Sequence, residues 1–330
     1  MRCLIINTDG YGFTEGISLA IEECIDFGTV RSISANVNFG HADRLVNLVR
    51  KHPDISVGCH LNPVVGEPVL PAEKVRTLLD EHGQFLYKKF QSRFLSGKIR
   101  LVELQAELTA QLHKTRDLAG DAFSHVDFHM GLHRLPGLYK IFLDVVEKSG
   151  VGRIRTHKYR VGLEHKLPRL RHALFLFETF SRIPKYVYIL WLRKKALEHG
   201  LAMPDLWVGI SHTEPKTLTI ANYLMMLKNM PSGINEFVAH PGYVDGDLGR
   251  WSTYLTPRAL EREILLDPRF RTALYDSDIR LIGYRDIPLR QLSGVSVSSL
   301  NSPKPNSIDA VVHRTNCVAV DDRDAASRYF

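Results

Sequence analysis

The sequence predicts an α/β protein, an irregular TIM-like (β/α) barrel over residues 1–290 with a flexible tail over 291–330. Two observations carry that prediction. Short apolar runs rich in β-branched residues alternate with segments of helical period some seven or eight times, which favours parallel β/α units closed into a barrel over an open sheet. Four of the runs end at once in Asp or His, in keeping with strand ends that converge on the catalytic face of such a barrel.

In chain order, strands are expected near 4–7, 32–37, 55–60, 124–129, 153–157, 206–211, 235–240 and 279–284. Helical stretches are expected between most of them, for example Thr14 to Phe27, His41 to Lys51, Leu101 to Leu118, Gly137 to Ser149 and Pro257 to Leu266. Residues 293–307 are rich in Ser, Asn and Pro, which is why the last 40 residues are read as an appendage and not as part of the core. No internal repeat is present.

Composition excludes several classes. A 330-residue chain that is 44% hydrophobic and 24% charged is globular, neither collagenous nor wholly disordered. Its longest apolar run, Tyr186 to Leu192, is seven residues, against the roughly 20 that span a bilayer. The N-terminus enters the first strand directly, with no apolar signal core, so a cytoplasmic location is expected. Cys3, Cys24, Cys59 and Cys317 form no CxxC pair and read as reduced structural thiols. The net charge of +7 is local: residues 151–200 hold twelve Lys/Arg against three Asp/Glu. No nucleic-acid-binding motif accompanies that cluster, so nucleic acid is not an expected partner. Residues 165–195 mix basic and aromatic side chains; a solvated outer helix face explains them, and peripheral contact with a membrane or a lipid-linked substrate is the functional alternative.

The strand ends carry the chemistry. They are LIINTDGYG with Asp9, SVGCHLN with His60, SHVDFHMGLHRLP with His125, Asp127 and His129, and EFVAHPGYVD with His240. Alternation along a strand puts His125, Asp127 and His129 on one face, while His133 falls in the following loop or helix start. Imidazoles and carboxylates gathered this way suit a borderline divalent ion, with a further carboxylate to take a proton from bound water.

These motifs and their spacing resemble the YdjC/ChbG/HpnK carbohydrate deacetylases from Met1 to about Arg290. The matching stretches are Asn7-Thr8-Asp9-Gly10-Tyr11-Gly12, Gly58-Cys59-His60-Leu61-Asn62, His125, Asp127, His129 and His133 with Leu135-Pro136, and His240-Pro241-Gly242 with Asp245. The resemblance implies removal of the N-acetyl group from an N-acetylhexosamine-containing sugar, oligosaccharide or glycolipid, with a divalent Mg or Zn ion. It assigns Asp9 as base, His240 as the acid on the departing amine, and His60 and His129 as metal ligands. His125, Asp127, His133 and Asp245 become substrate-pocket or ligand-orienting residues. Gly10 departs from the pattern, because the family places a ligand Asp there. Either Asp9 turns to the metal, or a water or a carboxylate such as Asp127 fills the gap, or the chain has become a carbohydrate-binding homologue. Another metal-dependent hydrolase on the same barrel is a further alternative.

Overall fold

The computed structural model describes residues 1–164, 182–210 and 214–289. Eight strands form one sheet: β1 (Arg2–Tyr11), β2 (Ser32–Ala35), β3 (Ser56–Leu61), β4 (Phe123–Phe128), β5 (Tyr159–Val161), β6 (Leu206–Gly209), β7 (Gly233–Ala239) and β8 (Ile279–Ile282). Around them lie α1 (Glu15–Asp26), α2 (Leu45–Lys51), α3 (Phe90–Leu95), α4 (Leu101–Ala119), α5 (Leu138–Ser149), α6 (Arg182–Glu198), α7 (Ile220–Lys228), α8 (Leu248–Trp251), α9 (Thr256–Leu265) and α10 (Pro268–Tyr275). The tail expected over 291–330 lies outside the described residues.

All strand pairings are parallel, in the order β4-β3-β2-β1-β7-β6-β5. Residues 153–161 join the two ends of that path: Ile154 bridges to Val126 of β4, and Tyr159–Val161 pairs with β6. The sheet thereby curls on itself. The expected fifth strand at 153–157 is this bridge, with regular pairing beginning only at Tyr159. The curl is irregular because β8 takes only the first part of β1, Arg2–Ile5, and β2 takes the last part from Asn7 onward.

The period of two then sorts the side chains. Leu4 and Ile6 of β1, Val57, Cys59 and Leu61 of β3, and Val126 and Phe128 of β4 face the helices in the main core. Cys3 and Ile5 face inward with Ala202, Ile234, Ile282, Tyr284 and Ile287, forming an apolar plug. Fully burying each such Ile is worth about 1.5–3 kcal/mol. The same inward row of β1 continues as Asn7 and Asp9, so the interior changes from apolar to polar toward the strand ends.

Two local features shape that polar layer. At Gly58 an added Cβ would lie 2.3 Å from His125 Nε2, so β3 needs a glycine to admit the imidazole from β4. At Gly10 φ is +110° and the β1–β2 register shifts between Asp9 and Tyr11, a conformation a side-chain-bearing residue resists. Beyond it, the Thr14 hydroxyl caps α1 by accepting from Ile17 N at 3.2 Å.

Candidate active site

The inward carboxylates converge on one cation. Arg155, just beyond the bridging Ile154, donates to Asp9 through Nη1 to Oδ2 at 2.8 Å and Nη2 to Oδ1 at 2.7 Å. It also reaches Asp127 at 2.6 Å and Glu236 of β7 at 2.9 Å. Asn7 and Ser34 complete the cage: Asn7 Nδ2 donates to Asp9 at 2.9 Å, and Ser34 Oγ donates to Asp127 at 2.9 Å. Burial alone would raise the Asp9 pKa, but the guanidinium together with His60 and His240 more than offsets it and holds the carboxyl well below its usual range. Asp127 is shifted down for the same reasons. Glu236, more weakly compensated, is pushed up to about 7 by burial.

The histidines stand beside this cage. His60 Nδ1 lies 2.8 Å from Asp127 Oδ1, and His60 Nε2 lies 3.2 Å from His129 Nδ1. The order Asp127, His60, His129 is a carboxylate backing an imidazole whose far nitrogen faces a second imidazole. Asp127 and Asp9 outweigh the burial penalty and raise the His60 pKa, whereas burial drives His129 down to about 3. Met130, the residue after His129, has φ +55°, and Gly131 follows at +61°. This left-handed pair turns the chain sharply at the point where His129 must face inward, and the strain at a non-glycine residue marks a site-bearing loop.

His240 closes the opposite side. Its Nε2 is 4.0 Å from Asp9 Oδ2, equal to the 4.0 Å from Asp9 Oδ2 to His60 Nδ1. Its side chain is 34% exposed, so this is the wet edge of the cluster. Behind it, buried Glu261 of α9 accepts the His240 backbone N–H and lies 3.8 Å from His240 Nδ1. Tyr254 donates to the other Glu261 oxygen at 2.9 Å and sets its ring edge-on to His240. Burial lowers the His240 pKa to about 4 and raises that of Glu261 to about 7.

The remaining expected residues lie further out. His125 sits one layer below, between Ser34 Oγ at 3.3 Å and Ser124 Oγ at 2.9 Å, and stacks on Tyr284 at 3.7 Å. His133 faces His157 with Nε2 atoms 3.2 Å apart, in a box with Tyr139 and Phe142. Asp245 accepts from Gly16 N and Leu248 N, both at 3.0 Å, and so ties the loop after β7 to the start of α1. Arg155, Glu236, Glu261 and His157 escape a reading by motif. Their signal was an ionisable residue inside a strand or on the inward face of a helix.

The donor set accommodates a metal. Asp9, His60 and Asp127 are buried and bring ligand atoms within 4.8 Å of one another, a group that could hold an ion. Arg155 bridges the two carboxylates, while His60 Nε2 and His129 Nδ1 face each other at 3.2 Å beside them. Two nitrogens each about 2.0–2.1 Å from a tetrahedral ion stand about 3.3 Å apart, close to the 3.2 Å found. Asp127 on His60 Nδ1 supplies the outer partner that ligating imidazoles use.

The curled α/β sheet gathers carboxylates and imidazoles at its strand ends, and its buried Asp9, His60 and Asp127 could hold a metal ion. The YdjC-like protein family model matches residues 3–276, and the chain belongs to that family. Its relatives include proteins named carbohydrate deacetylase. One from Thermoanaerobacter pseudethanolicus is 27% identical, covering 86% of this chain and 98% of that protein. One from Mus musculus is 30% identical, covering 86% and 94%. An Enterococcus faecalis crystal structure, described as a candidate cellobiose-phosphate cleavage protein, superposes with a TM-score of 0.67 at 23% identity, covering 86% of this chain and 98% of that one. The family resemblance and the α/β fold expected from sequence are thus borne out, and so is the expectation of an amide-cleaving hydrolase at the level of the family. Among the described residues no helix is long and apolar enough to cross a membrane.

Proposed function

We propose that the chain is a metal-dependent N-deacetylase acting on an N-acetylhexosamine-containing sugar, oligosaccharide or glycolipid. The observation that carries the reading is the facing pair His60 Nε2 and His129 Nδ1, backed by Asp127 and flanked by Asp9 and His240. A divalent Mg or Zn ion bound there would polarise the acetamide carbonyl and acidify a water. Asp9, kept ionised by Arg155, accepts the proton of the attacking water. His240, neutral in the free site and 4.0 Å from Asp9, passes that proton on to the departing nitrogen, so the sugar leaves as an amine. His125 and Asp127 orient Ser34 and His60, while His133 and Asp245 shape the surrounding loops.

Relatives named carbohydrate deacetylase support the substrate class. Buried free thiols at Cys3, Cys24 and Cys59 suit a reducing, cytoplasmic setting. Of the basic and aromatic segment 165–195, residues 165–181 lie outside the described ones. Its α6 portion exposes Val187 at 58% and Trp191 at 47%, the face that a membrane or lipid-linked substrate would meet. The function is tested by acetate release from N-acetylglucosamine oligosaccharides, with metal-loaded and metal-stripped protein. Sugar binding without acetate release under any metal would favour the carbohydrate-binding alternative.

A further inference from the structure

Arg155 and Arg258 are both buried guanidinium groups at this site, and they differ in one respect. Arg155 has three carboxylates around it. Arg258, 7% exposed on α9, has none within ion-pair distance among the described residues. Its Nη1 makes one long bond to the His240 carbonyl at 3.4 Å, its Nε has no partner, and the Tyr254 ring lies 5.9 Å from its Cζ. Burial lowers its pKa more than the nearby charges of Glu261 and Asp9 raise it, so the guanidinium is only partly compensated.

Two glycines make room for this side chain. A Cβ on Gly242 would meet the Arg258 stem at 3.3 Å, and a Cβ on Gly10 would meet Nη1 at 3.6 Å. The head group therefore lies against the Gly10 backbone. A buried charge with only distant counter-charges is costly. Among the described residues no carboxylate pairs directly with Arg258, so an oxyanion brought by a ligand would complete it.

We propose that Arg258 is a specificity residue whose guanidinium, beside the His240 carbonyl, binds an oxyanion, a carboxylate or phosphate, carried by the ligand. Two sources share this chemistry: an anionic substituent of the amino sugar, or the acetate that deacetylation would release. A guanidinium suits either, since its planar fork matches both oxyanions. The source of the oxyanion rests on the deacetylase reading; the binding itself does not, because it requires no turnover.

The test is thermal unfolding of the full chain at constant ionic strength, with chloride as reference. The probes are N-acetylglucosamine, N-acetylglucosamine 6-phosphate, N-acetylmuramic acid, inorganic phosphate and sodium acetate. Near saturation a bound oxyanion should raise the wild-type Tm by about 5 °C. Arg258→Met should abolish that rise, and Arg258→Lys should keep part of it. Arg258→Met should itself fold at least as stably as wild type without ligand, because it removes a buried charge that no described carboxylate pairs directly. A rise with acetate assigns the product; a rise with an anionic sugar that acetate and inorganic phosphate do not match assigns the substrate. In that case Arg258→Met should weaken the anionic sugar about 10- to 100-fold relative to N-acetylglucosamine. No rise with any oxyanion, or an equal rise in Arg258→Met, would overturn the proposal whether or not the protein releases acetate.

Discussion

Arg155 and Asp9 meet as a two-pronged pair across the barrel, Nη1 to Oδ2 at 2.8 Å and Nη2 to Oδ1 at 2.7 Å, although they are 146 residues apart in sequence. The pair fixes the carboxylate that faces both His60 and His240, and through Asp127 the same guanidinium also fixes His60. One side chain thus aligns the site.

Replacing Arg155 by Met should therefore do more than remove a contact. It would leave Asp9, Asp127 and Glu236 buried together without their cation, at a cost of about 3–5 kcal/mol. In the wild type, Asp9 and Asp127 sit below their unfolded value of 3.8, so their contribution is present above that pH and is lost only as the pH falls below it. Without Arg155 burial dominates, the folded carboxyls hold protons more tightly than the unfolded ones, and stability should rise toward acidic pH. Urea unfolding from pH 4 to 8 shows whether the slope reverses.

Glu236 and Glu261 have the opposite sign. Burial places both near 7, above the unfolded value of 4.5, so their protonated forms support folding and that support is lost as pH rises through about 7. Their contribution to wild-type stability should decline between pH 5 and 8, against the opposite contribution of His129 and His240, whose lowered values make stability rise with pH up to about 6.5. Glu261→Gln, which keeps an acceptor for the His240 N–H, should flatten that decline, as read from Tm against pH.

The two glycines of the polar layer should behave differently when changed to alanine. At Gly58 the new methyl would strike the His125 ring, so Gly58→Ala should destabilise by about 1–3 kcal/mol or prevent folding. At Gly10 the nearest atoms to a new Cβ are 3.5 and 3.6 Å away, ordinary contacts, and only φ +110° opposes it. Gly10→Ala should fold with a loss of about 1–2 kcal/mol. Denaturant midpoints of the two variants separate overpacking from backbone strain.

The sequence made the barrel readable because both of its signals are local: apolar runs of strand length, and Asp or His at their ends. Asp9, His60, His129 and His240 were legible for that reason, each standing where a strand stops. Arg155 was not, since its role exists only once residue 155 is carried across to β1; in the chain it was one more cation in a basic segment. Glu261 and Arg258 lie on a helix whose pattern reads as amphipathic, and nothing local distinguishes an ionisable residue facing His240 from one facing water. His157 became a partner of His133 only through the packing of the segment after β4.

His60→Ala and His129→Ala should each lower bound metal, whereas His240→Ala should keep it and slow turnover about 10²- to 10⁴-fold, the range for a lost proton-transfer group. Metal analysis of each purified variant beside its rate of acetate release separates holding the ion from moving the proton.

The most direct measurement is a titration of metal-stripped protein with Zn or Mg, reading bound ion per chain and acetate release from an N-acetylglucosamine oligosaccharide in the same samples. One ion per chain should bind, activity should return in proportion to it, and His60→Ala should show neither at matching concentrations. Full turnover by the stripped protein, or an ion bound equally well by His60→Ala and wild type, would contradict the assignment of the facing imidazoles as the metal site.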